Sequence, residues 1–425
     1  MLRHRISLLL LFATALAACI PGFCAQPLAV TFHSFSSSAD FTAPGAIFEG
    51  TRLTKAGDAI TYASSVGSIN YSDSYGSPAR SYSYARWTSP WFNTGINFSE
   101  LVSSWNAATP PGTWIQMEMQ ASPDNVYTTK WFVMGRWAFS DADIHRTSVG
   151  GQGDADGYVA IDTFFAKDHP FTAWRLRVTL YKTPGSSAAP TVYALGAVAS
   201  DMPNAKPYAP SPLGGAEGLE LNVPAYSQEI HAGEYPQFDS GGEAWCSPTS
   251  TSMVVAYWKQ GPAAADYAYV LQDYPNTSDP WIDYAARYTF DYHYQGAGNW
   301  PFNIAYATHF GLAGEVTQLR SLNEAEQFIK AGIPLVASLA FEPNKLTGFL
   351  FRGTSGHLLT IIGFTAQGDV ISNDPASSSD STVRHVYDRT EFERAWLTST
   401  GGIVYVIHPT SVQLPLPTVP SQPNW

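Results

Sequence analysis

Trp245-Cys246-Ser247-Pro248-Thr249-Ser250-Thr251-Ser252-Met253-Val254-Val255-Ala256-Tyr257-Trp258 reads as a helix that opens on a cysteine. Pro248 falls in the first turn, where its missing N–H costs nothing. Thr249, Met253 and Trp258, with Ser250, Val254 and Tyr257, recur at helical steps and can bury one face. Gly261-Pro262 closes the helix. Cys246 therefore sits where unsatisfied N–H groups and the helix dipole favour an anion, the setting of a nucleophilic thiolate. The competing reading is a buried, inert thiol, but such a cysteine more often lies mid-helix or mid-strand.

A thiolate needs a base. His357 follows Gly356 and begins the apolar run Leu358-Leu359-Thr360-Ile361-Ile362-Gly363-Phe364, which reads as a buried strand. Ala366-Gln367-Gly368-Asp369 makes a turn, and Val370-Ile371-Ser372-Asn373-Asp374 runs back until Pro375 ends it. Folding this hairpin brings residue 357 within about two positions of residue 374, inside the reach of cross-strand neighbours. Asp374 can then fix the imidazole tautomer. Asn373 competes for that role, but strand alternation points it to the other face. His231, His293, His309, His385 and His408 lack such a partner by local argument and read as surface or polar-core residues.

Together these segments resemble the C39-like branch of the papain-like cysteine peptidases. The resemblance is carried by Val223-Pro224 with Gln228, the Trp-Cys-x-Pro helix start, the Gly-His strand, the Asn-Asp-Pro strand end, and a helix Leu322–Lys330 followed by Gly332-Ile333-Pro334. It covers residues 219–408 and implies an α+β papain-like fold. It also implies roles: Cys246 as nucleophile, His357 as general base and then acid, and Asp374 as the group that orients the histidine. Gln228 would donate to the oxyanion beside the Cys246 N–H. Ser247 stands where the family usually has glycine. Gln228 lies unusually far before the cysteine, and Gln237 is its rival. The substrate implied is peptide-like, possible cell-envelope peptides included, and no metal or organic cofactor is required. The same triad could serve an acyltransferase. A different class again is an inactive binding or adhesion module with a carbohydrate-binding-like β-sandwich.

Outward from this site, 425 residues favour more than one domain. The formal charge of −12 argues against nucleic acid, which needs a concentrated basic face. Residues 27–200 read as an all-β sandwich. Ile115, Met117 and Met119 alternate with Gln116, Glu118 and Gln120, and Thr172–Tyr181 alternates likewise; shorter strands are expected at Trp131–Ala138 and Tyr158–Phe165. Residues 201–218, rich in proline and glycine, read as the linker, and 409–425 as a Pro-rich tail without chemistry. Trp87, Trp91, Trp105, Trp114 and Trp131 fit sandwich core packing as well as sugar stacking. Asp141, Asp143, Asp154, Asp156 and Asp162 lack a complete calcium-loop pattern and read as solvated turn residues.

The first residues carry an export signal: a short basic stretch, Arg3 to Arg5, then the apolar run Ile6–Ala18, too short to span a bilayer as an ordinary helix. Leu16-Ala17-Ala18-Cys19 is similar to a bacterial lipobox, so Cys19 is a candidate lipid anchor; cleavage after Ala25 is the alternative. The expected location is exported, whether periplasmic, extracellular or outer-membrane lipoprotein. Of three cysteines, only Cys246 lies clear of the signal, and an unpaired thiol in an oxidising compartment flags reactivity.

Overall fold

The computed structural model describes residues 28–202 and 208–425, so the expected export signal, with Cys19 and Cys24, lies outside the described residues. The amino-terminal part is all-β, built of two seven-stranded antiparallel sheets. In one, Glu100–Ala108 lies between Thr163–Ala166 and Thr191–Asp201; in the other, Phe171–Lys182 lies between Thr113–Ser122 and Arg80–Thr88. The alternation has its expected effect: Ile115, Met117, Met119, Leu176 and Val178 turn inward onto Trp87, Trp105, Trp137 and Trp174.

The other face of that strand is also covered. Arg177 grips Glu118 through two 2.8 Å hydrogen bonds, Arg175 donates to Gln120, and Trp131 lies against both guanidinium groups. Trp87, Trp105 and Trp114 are buried, while the half-buried Trp91 and Trp131 are stacked by arginine. The expected strand at 158–165 is a hairpin of Gly157–Ala160 and Thr163–Ala166, because the chain turns at Ile161 with φ 58°.

The carboxy-terminal part is α+β. A six-stranded antiparallel sheet runs in the order Ala313–Gln318, Ile403–His408, Leu335–Phe341, Thr354–Phe364, Val370–Asn373, Arg384–Tyr387. Leu322–Lys330 and Arg389–Ser399 pack on one face with Leu359 and Ile361; Cys246–Tyr257 and Trp300–His309 pack on the other, over Leu358 and Val336. Burial on both faces explains why residues 358–364 read as one unbroken apolar run.

The cysteine helix was expected to bury one face, yet every residue from Ser247 to Val255 is buried. It is enclosed by the sheet and by the helices Trp281–Thr289 and Trp300–His309, so its polar residues need internal partners. Ser250 donates to Leu358 O and Thr251 to Asn303.

The two parts share one core. Phe302 and Tyr306 of the carboxy-terminal part belong to the same apolar cluster as Trp105 and Trp137, and the Phe302 ring lies 5.3 Å from that of Trp137. Asn106 pairs with Gly314 through both N–H and C=O, and the fully buried Arg146 donates to Arg287 O. Residues 214–218 are packed too: Glu326 accepts from the N–H groups of Gly214 and Ala216. Nor is the terminal stretch loose. Arg320 reaches Val30 O, Gln422 O, the Asn424 side chain and Glu324. Arg320→Ala removes the cation beside the buried Glu324 carboxylate, which keeps the Thr418 hydroxyl, the Asn424 amide and a backbone N–H, and is expected to cost about 1.5–3 kcal/mol, read as a lower urea midpoint.

Candidate active site

Cys246 is the first residue of its helix, and no side chain caps the N-terminal N–H groups. Two short 3-10 turns precede it, Glu229–His231 and Gly242–Ala244, and they bring residue 228 back to the helix start. Ser247 needs no glycine-like freedom because its backbone is helical. Its hydroxyl lies 2.9 Å from the Tyr405 hydroxyl in the buried interior.

His357 is buried on the central strand Thr354–Phe364, and its Nε2 lies 2.8 Å from Asp374 Oδ1. Thr360 pairs with Asn373 across the hairpin, so residue 374 falls opposite 359, two positions from the histidine on the same face. Asn373 turns away and donates to Val223 O and Pro224 O. With Nε2 occupied, Nδ1 is the ring nitrogen left for Cys246, which lies close enough to help raise the pKa of His357.

Burial of His357 disfavours the imidazolium, but the Asp374 carboxylate and then Cys246 outweigh it and raise its pKa to about 10. For Asp374 burial acts upward, and His357, the Tyr387 hydroxyl and the Ala376 N–H together hold it below the usual carboxylate range. The pair therefore stabilises the fold from both sides. The histidine contribution is complete below its unfolded pKa of about 6.5 and is lost as pH rises through about 10. The aspartate contribution is present above about 3.9 and is lost as pH falls through its depressed folded value. Thermal unfolding followed against pH should fall off on the alkaline side in the native chain, and less so when His357→Gln and Asp374→Asn are combined.

Local sequence did not reveal three neighbours. Tyr387 donates to Asp374 Oδ2 at 2.8 Å from the adjoining edge strand, and the Phe349 and Phe351 rings stand near-perpendicular to the imidazole. Tyr387 reaches the site only through strand pairing, for which its distant position gives no signal. Tyr387→Phe should weaken the fold by about 1.5–3 kcal/mol, the worth of a hydrogen bond to a charged acceptor, and lower kcat several-fold with KM unchanged.

Gln228 is buried beside the helix start, and Nε2 donates to Glu243 O at 2.7 Å and to Glu229 Oε1 at 3.0 Å. Gln237 is exposed. Of the other histidines, His309 stacks on Phe139, His293 meets the Tyr75 hydroxyl, His385 meets Ser377, and His408 meets Pro409 O. His231 is fully buried against Glu234 and Asp283, an i,i+3 relation within view of the sequence.

The aspartates of the sandwich do not converge, and they are less solvated than expected. Asp141 binds Arg146, Asp143 takes Arg80 and Gly112 N, Asp154 takes Lys130, Asp156 takes the Tyr127 hydroxyl, and Asp162 takes Trp300 N. Asp143, Asp156 and Asp162 are buried, because each is tied to a donor across a loop or across the boundary between the two parts. Burial raises the pKa of Asp162 to about 7.

Residues 220–404 match the Peptidase_C39 like family, and residues 31–200 match the Peptidase C39 N-terminal domain. The chain thus carries a C39-like peptidase-family domain behind a peptidase C39 N-terminal domain. No curated protein matches it. Among solved structures, a family two carbohydrate esterase from Cellvibrio japonicus aligns at 12% identity, over 43% of this chain and 37% of its own, with a TM-score of 0.18.

Proposed function

We propose that the chain is an exported cysteine peptidase, or a related amide hydrolase, whose nucleophile is Cys246. The observation that carries this reading is the single imidazole of His357 engaged by Cys246 on one side and Asp374 on the other, at an uncapped helix start. The Cys246 sulfur, its proton taken up by His357, attacks the carbonyl carbon of a peptide-like substrate, and the π electrons move onto oxygen. The Cys246 N–H stabilises that oxyanion. Gln228 joins it by releasing Glu229 and turning one N–H to the oxygen. His357 then protonates the leaving amine as the C–N bond breaks, leaving a thioester on Cys246. Water, deprotonated by His357, attacks the thioester; the acid leaves and the thiol is restored. Asp374 keeps the imidazole in the tautomer that both steps use.

Export rests on the residues 1–25, with Cys19 as the candidate lipid anchor. The reading is tested by incubating the purified chain with a mixed peptide library and following new amino termini by mass spectrometry. New termini that vanish with Cys246→Ala support it. A thiol-dependent product that appears only when a free amine is added would replace the hydrolase with an acyltransferase. No thiol-dependent product would leave a binding module.

A further inference from the structure

Behind the turn that carries Gln228 lies a second cluster that the proposed chemistry does not use. His231 closes the 3-10 turn Glu229–His231, with Glu234 three residues on, and Asp283 projects from the helix Trp281–Thr289. His231 and Asp283 are wholly buried. His231 Nδ1 lies 2.9 Å from Asp283 Oδ2 and 3.0 Å from Glu234 Oε2, and one ligand atom from each residue lies within 4.8 Å of the others. Among the described residues no other group of histidine, cysteine and carboxylate side chains converges in this way.

With both carboxylates ionised, the proton on His231 leaves this cluster unsatisfied. The Nδ1 position holds at most one hydrogen and faces two carboxylates. Glu234 is placed to accept it and is also held by the Thr277 hydroxyl at 2.9 Å. Neither Asp283 oxygen has a hydrogen-bond partner, because Oδ2 is close to Nδ1 but poorly aligned, and His231 Nε2 has none either. A carboxylate with no donor and no exposure is what folded proteins avoid. A divalent cation between the three atoms would use all three as ligands, and its two charges would cancel those of the carboxylates. Ligands about 2.0–2.2 Å from a zinc ion stand about 3–3.5 Å from one another, close to the two separations from His231 Nδ1 already present.

We propose that His231, Glu234 and Asp283 supply three ligands of a zinc site, with water at the fourth position, that ties the Gln228 turn to the helix Trp281–Thr289. The imidazole ligand favours zinc over calcium, which takes oxygen ligands. The site shares no residue with the Cys246, His357 and Asp374 set and takes no part in the reaction. Its stability contribution does not depend on the chain being a peptidase.

The test uses the full chain carrying Cys246→Ala, so that the thiol cannot bind zinc. The protein is equilibrated with zinc, desalted, and its metal measured by mass spectrometry. About one zinc per chain is expected, with a thermal midpoint that falls on chelation. Asp283→Asn and Glu234→Gln, each nearly isosteric, should retain well under a tenth as much zinc and lose the response to chelator. Zinc retained equally by both variants, no zinc retained by the parent, or calcium retained in its place would each overturn the assignment. Should one variant fail to fold, the other and the parent's own stoichiometry decide the matter.

Discussion

Iodoacetamide will label Cys246 faster in the native chain than in the His357→Ala protein. The expectation follows from charge placement. Asp374 and Cys246 together hold His357 protonated well past neutrality, so a cation faces the thiol where an ordinary histidine would be neutral. The uncapped helix start adds its N–H groups. Cys246→Ala should reduce any peptidase turnover by on the order of 10^3-fold or more, since members of such a unit fail together. Labelling that is slow at neutral pH and indifferent to the histidine would remove the catalytic pair. Because Cys246 is the free cysteine among the described residues, the modification can be read on one tryptic peptide.

Phe302→Ala should lower stability by about 3–5 kcal/mol, the usual cost of emptying a buried aromatic site, and it should do so for both halves at once. The ring is fully buried at the boundary, against Trp105 and Trp137 of the sandwich and beside the Gly135 backbone, where an added Cβ would lie 3.2 Å from it. With Asn106–Gly314 and Arg146–Arg287 spanning the same boundary, the sandwich and the peptidase-family domain should unfold in one calorimetric transition. Two separated transitions, with only one shifted by the substitution, would show that the shared core does not couple them. The consequence for function is direct. The helix Trp300–His309 bears Asn303, which meets Thr251 of the cysteine helix, so the sandwich buttresses the element that presents the thiol.

The sequence by itself determined a good deal. Proline in the first turn after a cysteine, an apolar run beginning at a histidine, and a turn whose length sets the hairpin register are local features. They placed Cys246 at a helix start and put His357 and Asp374 on one face of adjoining strands. Strand alternation over 113–122 and 171–182 likewise made the amino-terminal half all-β, because the period of side chains along a strand does not depend on its partners.

What only the tertiary structure decided are pairings between residues far apart in the chain. Tyr387 on Asp374, the burial of the cysteine helix on every side, the common core through Phe302 and the terminal stretch bound by Arg320 have no local signal. Each depends on which elements happen to be neighbours. Charged residues showed this most plainly. Asp143, Asp156 and Asp162 look solvated in sequence because carboxylates usually are, yet each is buried on a donor supplied from elsewhere. His231 had Glu234 within local reach, but Asp283 comes from a helix fifty residues on. A buried charge is tolerated only where its partner is delivered, and that delivery is a property of the fold.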